Sequence, residues 1–326
     1  MTPTIAVHAT QPLGRLALAL RSITRHGVSY RQVDYALARL HTPYEAHLIW
    51  GMNHDPETYE ALAKRGNVYF AENGWFPQKE YFYIDRYGPS AMSSLCNTPQ
   101  SAPLSGTQEA WVQEQIARLH ERLRVVPRME EGDYILVPLQ KESDTQVLYW
   151  SGCCAPYPDR QSWFVEQVCR LFPEDNIIIR PHPRDHEVIQ RIQRSAPAFR
   201  AHPRAAFRTE GSSFDWAAGA KLVLGISSTV LLEALTFNKP VCALGRGIFS
   251  GSAALLECDG DFHSLALAKT YAPDLARVRS LLFRLMNHQI PYTVTADDVM
   301  KYGALEDLID CARRVARPVE NVRSLE

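Results

Sequence analysis

The sequence has no C-x-x-C pair, no low-complexity tract, no internal repeat and no excess of one charge. Each absence excludes a class of protein. With 35 basic and 36 acidic residues the formal net charge is -1, so the basic excess of a dedicated nucleic-acid binder is missing. There are seven cysteines, an odd number, and Cys153 and Cys154 are adjacent, which is not a zinc-ligand spacing. That usage fits a reducing compartment better than a disulfide framework. No apolar run approaches the ~20 residues that cross a bilayer. The opening MTPTIAVHATQPLGR lacks the basic start and long apolar core of a signal peptide. A cytoplasmic protein with no nucleic-acid partner is expected.

What is present is core-forming material. The chain has 326 residues, 46% hydrophobic and 22% charged, which is enough for two domains. Apolar strand-like runs alternate with helical stretches. TIAVHA precedes RLALALRSITRHG, AHLIWGM precedes PETYEALAKRG, and NVYFAE follows. A looser stretch, rich in turn formers, runs over 73–105, and TQEAWVQEQIARLHERLRV then reads as a long amphipathic helix. The alternation restarts with YILVPLQ, and NIIIRPHP, KLVLGIS and PVCALG continue it. Such alternation predicts parallel sheets covered on both faces, in two Rossmann-like α/β domains facing each other across a cleft. The break at PRMEEGD places the boundary near 130: one domain over 1–130, a second over 131–300, and a last helix over 301–326 packing back on the first. The last two helices are apolar on one face and arginine-rich on the other. A solvated face is the default for such helices, and peripheral contact with an anionic membrane is the alternative.

Ligands of open α/β sheets bind beyond the carboxyl ends of the strands, so residues there carry most weight. In VLGISSTVLLEALTFNKPVCAL, Ser227 and Ser228 end a strand and begin a helix, and Glu233 lies six residues after Ser227. Free N–H groups and the helix dipole favour an anion at such a start, and a carboxylate there suits two ribose hydroxyls. A plain serine N-cap with a solvated glutamate fits the same residues. In IIIRPHPRDH a strand leads into Arg180, His182 and Arg184 between prolines, which suits a phosphate or carboxylate and equally a basic surface turn. Gln140 ends a third strand, with Asp144 in the next loop. Glu72 ends a strand in the first half, before a Gly-aromatic-Pro turn. Each carboxylate alone fits a loop or cap position. As a pair they fit a nucleophile and an acid/base.

ENGWFPQ, YIDRYGPSAMSSL, PLQKESDTQ, RPHPR and SSTVLLEALTFNKPV occur here in one order. In that order they resemble the capsule-type β-Kdo transferases, glycosyltransferases of GT-B fold in capsule and O-antigen assembly (Kdo is 3-deoxy-D-manno-oct-2-ulosonic acid). The resemblance covers about 68–244 and implies the roles that follow. Asp144 is the nucleophile, Glu72 the acid/base, and His182 with Ser227 and Ser228 the clamp on the CMP phosphate. Glu233 is the ribose ligand, and Gln140 and Arg184 join the nucleotide-sugar site. The domain over 1–130 would take the acceptor and that over 131–300 the donor. The donor would be CMP-β-Kdo, the acceptor a saccharide or lipid-linked saccharide, and the location cytoplasmic, with peripheral association at the inner face of the inner membrane as the alternative. No cofactor and no catalytic metal are expected, since enzymes of the GT-B fold that the resemblance implies generally need none. The competing readings are a GT-B enzyme using another nucleotide sugar, and a non-catalytic capsule assembly protein of the same fold.

Overall fold

A computed structural model describes residues 2–9, 13–34, 46–51, 54–96, 103–129, 132–258 and 262–316. Glu130 and Glu131 of the expected boundary, and 317–326 of the expected last helix, lie outside the described residues. The described residues of Met1–Pro89 and His288–Glu326 form one compact unit, and those of Ser90–Asn287 form a second.

The first unit holds strands β1 (Thr4–Ala9), β2 (Ser29–Asp34), β3 (Ala46–Trp50), β4 (Val68–Asn73), β5 (Tyr81–Asp85) and β12 (Ile290–Pro291), with helices α1 (Leu16–Thr24), α2 (Pro56–Ala63) and α11 (Gly303–Ala316). Its sheet runs β12-β5-β4-β3-β1-β2. β1 to β4 pair in parallel, but β5 is antiparallel to both neighbours, so the sheet is mixed where a parallel one was expected. Strand β5 falls inside the stretch read as loose. One sheet face, with Ile5, Val7, Leu48, Tyr69 and Ala71, packs against α1 and α11. Leu305, Leu308, Ile309 and Ala312 recur at helical spacing on α11 and bury its apolar stripe there.

The second unit holds β6 (Tyr134–Pro138), β7 (Asn176–Arg180), β8 (Ala205–Phe207), β9 (Leu222–Gly225), β10 (Val241–Ala243) and β11 (Leu256–Glu257). Around them lie α3 (Gly106–Leu123), α4 (Thr145–Trp150), α5 (Arg160–Leu171), α6 (Val188–Ser195), α7 (Pro197–Ala201), α8 (Ser213–Gly219), α9 (Val230–Leu235) and α10 (Leu275–His288). The sheet is parallel throughout, in the order β11-β10-β9-β6-β7-β8. Every residue of β6 is buried, as a central strand covered on both faces requires. The chain leaves β6 toward β7 and β8, then returns to the other side for β9, so the order reverses between β6 and β9. A crevice for a ligand opens at such a switch point.

The boundary expected near 130 is corrected. Helix α3 belongs to the second unit, and His288 onward returns to the first. The reason is tertiary. His120 of α3 donates through Nε2 to Thr236 Oγ1 at 2.9 Å, because that hydroxyl itself donates to the Glu233 carbonyl at 2.6 Å. Its ring stacks on Phe237 at 4.1 Å, and Trp111 meets Phe283 edge-on at 5.6 Å. Aromatic pairs of this kind add roughly 0.5–1.5 kcal/mol each beyond their burial. A Ser105–Gln108 capping box fixes where α3 starts.

Candidate functional site

Three strand ends of the second sheet converge at the switch point. Beyond β6, Gln140 is buried, and its Oε1 accepts the Ser227 N–H at 3.0 Å and the Ser227 hydroxyl at 3.3 Å. Gln140 thus ties the ends of β6 and β9 together, and its oxygen is occupied within the protein. The Ser227 N–H, expected to be open to an anion, is likewise taken. The free donors lie one residue on. The N–H groups of Ser228 and Thr229 have no partner among the described residues, and the Ser228 hydroxyl accepts the Val230 N–H at 3.3 Å. The residue before α9 is Thr229, so neither serine is its N-cap.

The loop after β6 separates two acids by function. Glu142 accepts the Arg160 N–H at 3.0 Å, the Arg160 guanidinium at 3.1 Å and the Gln161 N–H at 3.2 Å, so it caps α5. Asp144 closes a turn on the Lys141 carbonyl at 3.0 Å and caps α4, its Oδ1 accepting the Gln146 N–H at 2.9 Å. Its Oδ2 has no partner among the described residues. Burial pushes the Asp144 carboxyl above the ordinary carboxylate range, opposed by the Gln146 N–H and the charges of His182 and Lys141.

His182 follows β7, beside β6 in the sheet, where Leu139 donates to the Arg180 carbonyl at 2.9 Å. Its Nδ1 accepts the Arg184 N–H at 3.1 Å, so the neutral ring carries its proton on Nε2. That Nε2 has no partner among the described residues. The same His-Pro-Arg turn recurs at His202, whose Nδ1 accepts the Arg204 N–H at 3.1 Å. There Nε2 donates to the Phe172 carbonyl at 3.0 Å. The turn is therefore a local device, and only at His182 does it leave an open donor. Burial holds the His182 pKa below the ordinary value, and nearby Asp144 pulls it back up. Arg184 is exposed. Arg180 is committed elsewhere, donating to the carbonyls of Glu210 at 2.5 Å and Gly211 at 2.9 Å and lying over Trp216.

Glu233 is buried in the first turn of α9, not solvated. Burial pushes its pKa up to about 7, against a hydrogen bond from Ser213 and the charge of Arg180. Its Oε2 is buried with no hydrogen-bond partner among the described residues. An unpaired buried oxygen costs roughly 1–3 kcal/mol, which a ligand hydroxyl would remove.

On the first unit, Glu72 accepts the Asn73 N–H at 2.8 Å and the Asn73 amide at 2.9 Å through Oε1. The turn after it is tightly built. Gly74 donates to the Tyr81 carbonyl at 2.7 Å, and a Cβ at Gly74 would come within 2.7 Å of Tyr81 Cβ. Buried Gln289 accepts the N–H groups of Trp75 and Phe76, both at 3.2 Å. Sequence reading missed Gln289, since no motif marks it and its partners lie 214 and 213 residues away. Among the described residues no group of three or more His, Cys, Asp or Glu side chains is placed to hold a metal ion.

The sequence profile of capsule polysaccharide biosynthesis proteins matches residues 97–288. This chain belongs to that family. Matched residues include every candidate side chain of the second unit; Glu72 lies outside. Protein FixF of Sinorhizobium fredii (strain NBRC 101917 / NGR234) is 27% identical over 253 residues, 74% of this chain. The chain spans 59% of the length of FixF. Two solved structures share the fold, that of a two-domain GT-B protein. Thermosulfurimonas dismutans KpsC, beta Kdo 2,7 transferase, matches with TM-score 0.57 at 18% identity, covering 94% of this chain and 99% of that one. The KpsC beta Kdo 2,4 transferase matches with TM-score 0.55 at 15% identity, covering 86% and 90%.

No described helix is long and apolar enough to cross a membrane. The arginines expected to offer α10 and α11 a basic face are partly paired with acids: Arg277 with Asp274 at 3.2 Å, Arg279 with Glu109 at 3.9 Å, Arg313 with Asp310 at 3.3 Å and Arg314 with Asp307 at 3.7 Å.

Proposed function

We propose that this family member is a retaining glycosyltransferase that moves Kdo from CMP-β-Kdo to a saccharide acceptor in capsule or O-antigen synthesis. The observation that carries the reading is the gathering of Asp144, His182, the Ser228 turn and Glu233 around one switch point, each with an unfilled polar atom among the described residues. The two solved structures of the same fold are named as Kdo transferases, which supports the same donor class here.

The residues take these roles. Glu233 accepts the ribose hydroxyls through its unpaired Oε2. His182 Nε2–H and the N–H groups of Ser228 and Thr229 receive the phosphate, as open donors at a helix start favour. Gln140 holds the Ser227 turn in place, and exposed Arg184 adds positive charge. Asp144 Oδ2 attacks the anomeric carbon, the bond to the CMP phosphate oxygen breaks, and CMP leaves with the bonding pair. Glu72 then takes the acceptor hydroxyl's proton as that oxygen displaces Asp144. Two displacements restore the β configuration. No step is assigned to a metal or cofactor. Peripheral contact with the inner face of the membrane stays part of the proposal, through a lipid-linked acceptor rather than through the arginine faces.

The test is intact-protein mass spectrometry of the Glu72→Gln variant mixed with CMP-Kdo generated in situ. A Kdo-sized mass increase, located by digestion to the peptide holding Asp144, is expected. Absence of that adduct together with residual turnover in Asp144→Asn would remove double displacement.

A further inference from the structure

Cations around the switch point are not equivalent. Arg160 is paired with Glu142 at 3.1 Å, and Arg191 with Asp185 at 2.8 Å. Arg180 is spent on the carbonyls of Glu210 and Gly211. Lys141 and Arg184 remain: neither side chain has a hydrogen bond or ion pair among the described residues. Arg184 is exposed, whereas Lys141 is half-buried. The backbone of Lys141 closes the turn that presents Asp144, through the Asp144 N–H at 3.0 Å. Its charge acts on both Asp144 and His182, while that of Arg184 reaches His182.

The proposed donor makes an unusual demand. In a 2-ulosonic acid the anomeric carbon bears a carboxylate directly. A carboxylate nucleophile approaching that carbon meets a second anion at short range, and the repulsion is strongest in a partly dry site. A neutral sugar presents no such barrier. A cation within reach of both anions removes it, and an ammonium on a flexible stem suits two partners that change distance during attack.

Resting on the reading above, we propose that Lys141 forms the carboxylate subsite of the donor: its ammonium binds the sugar carboxylate beside Asp144 and selects ulosonic-acid donors over neutral ones. It forms no covalent bond and moves no proton. The phosphate is left to His182 and the Ser228 turn, so nucleotide affinity and sugar recognition separate.

The experiment compares the parent with Lys141→Met, Lys141→Arg and Arg184→Met. Transfer from CMP-Kdo, its pH profile and CMP affinity are measured on each. Lys141→Met is expected to lose kcat/KM on the order of a hundredfold, as when one charge-stabilising donor is removed. CMP affinity should stay within about twofold, because the cation does not touch the nucleotide. The acid limb of the profile should move to higher pH, since Lys141 favours ionised Asp144. Lys141→Arg should recover part of the rate and the limb. A purely structural lysine would move neither the limb nor the balance between CMP affinity and turnover. The subsite is overturned by near-parent kcat/KM in Lys141→Met, by a parallel fall in CMP affinity, or by the loss appearing in Arg184→Met instead. A second measurement is independent of turnover. With CMP present, free Kdo should bind the parent better than its methyl ester, and Lys141→Met should abolish the difference. If the parent transfers nothing from CMP-Kdo, the donor reading fails, while acid-over-ester preference lost in Lys141→Met still upholds the carboxylate subsite. Equal binding of acid and ester by the parent refutes it.

Discussion

Replacing Glu233 by glutamine should stabilise the free protein and weaken nucleotide binding at once. Burial raises the Glu233 pKa from 4.5 to about 7, with Ser213 and Arg180 opposing it. Unfolded, the side chain ionises near the ordinary value. Between these two pKa values the folded state therefore holds a proton that the unfolded state has lost, and stability falls as pH rises. Each pH unit between them is worth about 1.36 kcal/mol, so the full penalty at alkaline pH is about 3 kcal/mol. Glutamine has no charge to bury and can still accept from Ser213. Urea unfolding of both proteins at about pH 5 and about pH 8.5 should show the variant gaining about 2–3 kcal/mol on the parent between the two. Cytidine is the ligand of choice, because it lacks a phosphate that would titrate in the same range. Its affinity for the parent should rise through about pH 7, as the ionised carboxylate becomes the better acceptor. For Glu233→Gln it should be lower at alkaline pH and flat. A variant equally destabilised at both pH values, or one that keeps parental cytidine affinity, would show that Glu233 is a structural residue and refute the argument.

The other tests are simpler. His182→Ala should cut transfer by tenfold or more, with KM for the donor rising, because it removes the open Nε2 donor at the phosphate; unchanged steady-state kinetics would put the anion elsewhere. Gly74→Ala forces a Cβ to within 2.7 Å of Tyr81 Cβ, so it should lower stability by roughly 1–3 kcal/mol and lose activity through displaced Glu72; a thermal melt and an assay decide. In the first unit, His8 and His47 share a bond of 3.0 Å, and burial, then Arg65, hold the His47 pKa down to about 4. The unfolded chain binds more protons there, so stability should fall as pH drops from about 6.5 to about 4. A series of melts over that window checks it, and His47→Asn should flatten the slope.

The strand ends that carry the site were legible because central parallel strands are continuous apolar runs, as in NIIIR and LVLG. Edge elements were not. SYRQVD forms β2 while looking polar, and YFYID forms β5 inside a stretch dominated by turn residues. Periodicity also could not assign α3. The break at PRMEEGD is real in the sequence, yet α3 is held by His120 on Thr236, a partner 116 residues away. Residue types pointed to Asp144 and His182, but not to their states. The burial that raises the Asp144 pKa is a tertiary property, set here by packing around the turn from Lys141 to Asp144. Gln140 was marked by its place at a strand end. Its actual bond, to Ser227 at 3.0 Å, spans 87 residues and appears only once β6 and β9 lie together.

That bond explains how the second unit can keep a costly arrangement. Buried polar groups in folded proteins are nearly always paired, yet Glu233 Oε2 is buried without a partner among the described residues. The same turn leaves the Ser228 and Thr229 N–H groups open. Helix α9 is only six residues long, too short to hold these groups by its own stability. It is fixed from outside. Gln140 pins the turn before it, and His120 pins Thr236 after it, where the Thr236 hydroxyl also caps the Glu233 carbonyl at 2.6 Å. Side chains from just beyond β6 and from α3 thus hold both ends of α9 while its functional atoms stay unfilled. The arrangement makes Gln140 and His120 positioning residues: neither needs to touch a ligand for its loss to blur the place where one binds.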